Sequence, residues 1–237
     1  MADRDLSLAK RLEDVREKQA IVSVVSFSLS QIKDHFDSSV ASIEEQFSVA
    51  DSLLESGKAD ACKEIWRSQV VFIESALDFY IHELSKYAVF QMFKGSWAKT
   101  PKYNSFLVPM SVVEDGIKNP ESTEWFKDFL NTRFSREVYL AHEPMKDQIN
   151  MLGLNFGVIL ETAFPKSEEG EECYRSGKTI IIELFTRRNQ IAHQADRVHA
   201  TAERNDIEKA YVEQCIADVR SLVLALHNAA VSKDTTQ

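Results

Sequence analysis

Apolar side chains recur along this chain at alternating spacings of three and four, the period of an α-helix packed on one face. The clearest run holds Trp66, Val70, Ile73, Leu77, Tyr80, Leu84 and Tyr87, which line one side of a helix predicted over 61–93 and ended by Gly95. Upstream, Leu8, Leu12 and Val15 fall at helical spacing among charges, and Ile21, Val25, Leu29, Ile32 and Phe36 continue a similar stripe. The stretch 26–30 alternates as a strand would, but Val24 and Val25 break that period, so helix is preferred. A further helix is predicted over 40–54, with Gly57 as its C-cap. The segment 96–120 carries Trp97, Pro101, Pro109, Gly116 and Pro120 and reads as a loop-rich insertion with short helices.

Helices are next predicted over 121–134, with Trp125, Phe129 and Leu130, and over 145–163, ended by Pro165. The run 167–172 reads as a solvated acidic turn. Ile181, Leu184, Arg188, Ile191 and Ala195 then share one helical face. Asn205 is the predicted N-cap of a last helix, with Glu208 at the capping-box position and a stripe of Tyr211, Cys215, Val219, Leu222 and Leu226. The expected architecture is all-α: a bundle of about four core helices over 61–231, a helical extension over 1–60, an irregular middle insertion and a polar tail over 232–237.

Composition agrees with that class. Only 7 Gly and 5 Pro interrupt 237 residues, and 44% are hydrophobic, enough for a sizeable core. Cys62, Cys173 and Cys215 are scattered and form no CxxC pair, which reads as reduced thiols in a cytosol. The charged start Met1-Ala2-Asp3-Arg4-Asp5 has no apolar run behind it, and no uninterrupted span of about 18 apolar residues occurs, so a cytoplasmic protein with no membrane segment is expected. The net charge of −9 disfavours non-specific polyanion binding, so RNA, if bound, would be gripped in a local basic cleft.

The chemistry gathers on one helix. Arg188 sits in the apolar sector of Ile181 and Leu184, and a guanidinium there needs an acceptor or a solvated cleft. Asn189, His193 and Asp196 lie on the neighbouring flank. Arg188 and His193 are roughly 140° apart in helical projection, so joint action needs a frayed last turn, long side-chain reach or a second copy of the helix. Glu74, Asp78 and His82, at i, i+4 and i+8, flank the apolar face of the long helix. They are either partners for Arg188 or a solvated edge. The remaining histidines, His35, His82, His142, His199 and His227, show no metal-ligand spacing, no phosphate-binding glycine loop or Gly-x-Ser-x-Gly elbow occurs, and no cofactor is implied. Arg197, Arg204 and Lys209 are surface charge or a basic rim, while Trp66, Tyr80 and Tyr87 read as core.

The segment Arg188-Asn189-Gln190-Ile191-Ala192-His193 resembles the signature of the HEPN superfamily, an Arg and a polar residue followed by a spacer and a His near a helix end. The stretch 68–80 is similar to the first core helix of RiboL-PSP and related microbial HEPN groups. The resemblance covers roughly 61–230. It implies a four- or five-helix bundle that forms a homodimer, with two Arg/His pairs in one cleft, and metal-independent cleavage of RNA by a ribose 2′-hydroxyl. Arg188 and His193 would be the catalytic pair, with Asn189, Asp78 and Glu74 in support. A microbial defence or toxin setting follows, with a regulatory or antitoxin partner. The position two after His193 is Ala195, where one toxin subgroup has Tyr, so control by tyrosine modification is not implied. The alternative is a non-catalytic helical module for dimerisation and for protein or nucleotide binding, which the acidic charge favours.

Overall fold

The computed structural model describes residues 26–166, 175–198 and 200–235. The amphipathic stripes expected before residue 26, the acidic turn, Cys173 and His199 lie outside them. The described residues form nine helices and no strand: α1 (Leu29–Glu55), α2 (Ala59–Lys94), α3 (Pro101–Asn104), α4 (Met110–Lys118), α5 (Glu124–Phe134), α6 (His142–Met151), α7 (Phe156–Ala163), α8 (Gly177–Gln194) and α9 (Lys209–Thr235).

Helix α2 is the central post. Its buried face holds Val70, Ile73, Leu77, Ile81 and Leu84, each at most 1% exposed, and α1, α5, α8 and α9 all pack on it. Where two helices were expected over 21–54, α1 runs unbroken from its capping box at Ser28 and Gln31 to Glu55. Ile32, Phe36, Val40 and Ile43 keep one apolar stripe through the supposed break and bury it against α2. Phe36 meets Tyr80 edge-on at 5.9 Å, and Gln69 donates to the carbonyl of Ile43. Thus α1 and α2 share one core.

The insertion is tied down by aromatic contact. Phe93 stacks on Phe126 at 4.2 Å and meets Trp125 edge-on at 5.6 Å, and α4 crosses α5 with Gly116 against the Trp125 ring. Such ring pairs contribute roughly 0.5–1.5 kcal/mol beyond their buried area.

Two expected elements change. The single helix over 145–163 is two, α6 and α7, separated at Gly153, whose φ of +72° leaves the helical region. The side chain of Lys233 takes the carbonyls of Leu152 and Gly153 there, and Asn155 caps α7. Asn205 is not the cap of α9, which starts four residues later; its amide is engaged with Asp196 instead. Helix α9 also extends into the expected polar tail as far as Thr235, and Asp234 there accepts hydrogen bonds from Tyr87 and Trp97. It is long and apolar enough to cross a membrane by length and composition, and half of its most apolar window is buried within the bundle. Its apolar positions pack against α1, α2 and α7.

Candidate active site

Helix α8 presents the site. Ser176 caps it by accepting from the N–H of Thr179, and Ile180, Ile181 and Leu184 bury its first half. Its last two turns therefore project from a fixed base. The helix ends abruptly: Ala195 and Asp196 both adopt left-handed backbone, at φ +50° and +57°, and the N–H of Asp196 reaches back to the carbonyl of Gln190. Neither residue is glycine, so this turn is strained and must be held by its surroundings.

The holding group is the Asp196 carboxylate. The residue expected on the flank shared with Asn189 and His193 is instead fully buried, because the left-handed turn swings it under the helix. It accepts from Arg67 Nε at 2.7 Å, from both terminal nitrogens of Arg187, and from the Asn205 amide at 3.1 Å. Arg67 is itself buried and bonds onwards to Glu64 and the carbonyl of Asn205. Ala195, expected on the apolar seam, is the exposed cap residue. This clamp, built from Arg67, Arg187, Asp196 and Asn205, had only one sequence signal: a second arginine, Arg187, immediately before the motif.

Arg188 points the other way. Its Nη1 donates to Asn189 Oδ1 at 3.0 Å and lies 3.4 Å from His193 Nε2. The pair separated by 140° on the helical wheel is joined by side-chain reach within one chain. For that contact the imidazole must accept at Nε2, which requires its proton on Nδ1. His193 stands exposed in the last turn, so the contact opens to solvent.

Glu74 and Asp78 divide. Glu74 is buried beside Arg188 but makes no hydrogen bond to it, and both its oxygens are unpartnered. Burial pushes its carboxyl up to about 8, with Arg188 drawing it down and Asp78 pushing it further up. Asp78 faces His82 at 3.5 Å, and the His82 ring packs on Tyr139. Of the candidate basic rim, Arg204 is paired with Glu64 and Lys209 with Asp51, whereas Arg197 bonds the carbonyl of Ala202. Trp66 and Tyr80 are core, and Tyr87 is partly buried.

An all-α bundle built on a long central helix, with an arginine and a histidine meeting at the open end of a second helix, defines the class. Over residues 28–232 the chain matches the RiboL-PSP-HEPN family, and it belongs to that family, within the HEPN superfamily. The matched stretch takes in α1 as well as the region that resembled the family by sequence. No curated protein and no solved structure matches the chain. HEPN domains are often ribonucleases, so membership supports an RNase-like or nucleotide-related function.

Proposed function

We propose that this chain is a metal-independent endoribonuclease, acting in the cytoplasm in a microbial defence or toxin system, with Arg188 and His193 as its catalytic pair. The observation that carries the reading is the 3.4 Å approach of Arg188 Nη1 to His193 Nε2 at the exposed end of α8. Imidazole ordinarily titrates near pH 6.5, so at neutral pH it can take the proton of a ribose 2′-hydroxyl as that oxygen attacks the adjacent phosphorus. The P–O5′ bond then breaks, leaving a 2′,3′-cyclic phosphate, and the departing 5′-oxygen takes a proton. A guanidinium beside the base holds the phosphate oxygens as negative charge grows on them. Asn189, by accepting from Arg188 Nη1, fixes the direction of that guanidinium.

A homodimer would place two such pairs against one RNA and supply the second imidazole as the acid. Phe72, half exposed on α2 beside the groove that Ile191 helps to line, is an apolar contact available to a second copy. A regulatory or antitoxin protein would hold the nuclease in check. The net charge of −9 is the one observation favouring a non-catalytic binding module instead.

The deciding experiment is RNA cleavage in EDTA by wild type, His193→Ala and Arg188→Ala. Cleavage with cyclic-phosphate ends by wild type alone is expected. A purified wild-type protein that leaves a panel of RNAs intact, with and without the cell extract of an infected host, would overturn the enzyme reading in favour of the binding module.

A further inference from the structure

Arg188 stands between two environments. Its Nη1 faces outwards to Asn189 and His193, while its Nε is buried and makes no hydrogen bond. On the buried side is Glu74, 1% exposed, with neither carboxyl oxygen hydrogen-bonded. A turn further along α2, Asp78 also buries an oxygen without a hydrogen bond, its His82 neighbour lying at 3.5 Å. From α9 the group acting with Glu74 is the thiol of Cys215, which burial pushes up to about 12 and so keeps neutral. Among the described residues, Arg188 is the cation and Asp78 the anion that act on Glu74. Four buried polar atoms on three side chains, two acids and a guanidinium, thus make no hydrogen bond, and the Glu74 carboxyl feels the charges of the other two groups.

Unmet buried polar atoms are uncommon and costly, so their clustering behind a catalytic candidate calls for a physical reason. We propose that Glu74 is a positioning residue that carries a proton while the site works, and that losing this proton turns Arg188 inwards, off His193 and off a bound phosphate. The proposal rests on the reading of Arg188 and His193 as the catalytic pair. A neutral carboxyl leaves the full guanidinium charge for an RNA phosphate. An ionised one, buried and attracted by the Arg188 charge though not ion-paired with it, would draw the guanidinium into a charge-assisted pair and compete with the phosphate for it. The missing hydrogen bonds are then the mark of the working arrangement, with the inward pair held in reserve. Burial sets the balance within reach of physiological conditions, since the Glu74 carboxyl is pushed up to about 8.

The test uses the full chain. The His193 ring-proton resonance, assigned from its loss in His193→Ala, is followed against pH in wild type, Glu74→Gln and Arg188→Gln, alongside RNA cleavage. Wild type should show the imidazole's own titration and a second inflection near pH 8. Glu74→Gln should lack that inflection and, at a pH one unit above it, cleave about tenfold faster relative to its own neutral rate than wild type does. In Arg188→Gln the inflection should vanish or move up, because the cation favouring the carboxylate is gone. If the inflection behaves in this way while no variant cleaves RNA at any pH, the Glu74–Arg188 coupling stands and the nuclease reading falls. A single, identical titration in wild type and Glu74→Gln overturns the proposal. Should Glu74→Gln not fold, absence of a second inflection in wild type overturns it equally.

Discussion

Arg187 grips the Asp196 carboxylate with both of its terminal nitrogens, across the end of the helix on which it sits. The neighbouring Arg188 reaches out of the same turn to His193. Two adjacent arginines thus have opposite assignments, one holding the turn and one reaching to His193 with its Nε still buried.

Substitution should separate them. Asp196→Ala leaves Arg67 and Arg187 without their buried counter-ion and should cost about 3–5 kcal/mol in urea unfolding. Arg188→Ala breaks only partly exposed contacts and should change stability by roughly 0.5 kcal/mol or less, while slowing RNA cleavage by about 10²–10³-fold. Equal stability losses in the two variants would contradict the assignment.

Stability should fall as pH rises over a defined window. The Glu74 carboxyl is raised in the folded chain from its ordinary 4.5 to about 8. Below pH 4.5 both folded and unfolded chains hold this proton, so its contribution is fully present. Between the two values only the folded chain holds it, and the contribution declines by at most about 1.4 kcal/mol per pH unit, levelling off above the folded value. Glu74→Gln should flatten that decline when unfolding free energies at pH 5, 6.5 and 8 are compared. A slope matching that of wild type would show that Glu74 does not titrate in this way.

Gly153 should resist substitution. Its φ of +72° disfavours a side chain, and a Cβ there would run into the Lys233 ammonium that binds the carbonyls of Leu152 and Gly153. Gly153→Ala should cost ~1–2 kcal/mol, read as a lowered Tm, with RNA cleavage per folded molecule unaffected. A Tm equal to that of wild type would mean that the break between α6 and α7 does not need this backbone.

The proposed shared cleft makes a quantitative claim about mixed assemblies. If each RNA needs His193 from both copies, an equal mixture of wild type and His193→Ala, unfolded and refolded together, should keep about a quarter of the wild-type rate. Retention of one half would indicate that each chain works alone.

The helices carrying the site were legible because their apolar periods are long. The stripe from Trp66 to Tyr87 and the sector of Ile181 and Leu184 define α2 and α8 directly, and the Arg188–His193 motif rides on the second. The clamp was not legible. Arg67 and Asp196 are 129 positions apart, and their meeting depends on a left-handed turn formed by two residues that rarely adopt one. Nor could periodicity reveal the division at Gly153, since Leu152 and Leu154 bury on both sides of it and keep the stretch looking continuous. The separate helix expected over 40–54 is instead the second half of α1, whose polar residues Ser38 and Ser39 face solvent on an unbroken helix.

Three distant stretches of chain, near the start of α2, at the end of α8 and in the connection leading to α9, converge on one carboxylate. They should therefore open as a unit. In a deuterium-exchange experiment the amides of Asp196 and Asn205, both tied into this junction by backbone hydrogen bonds, would lose protection at a common rate. The tip of α8 would then behave as a cooperative segment, with the imidazole it carries released only when the whole junction lets go.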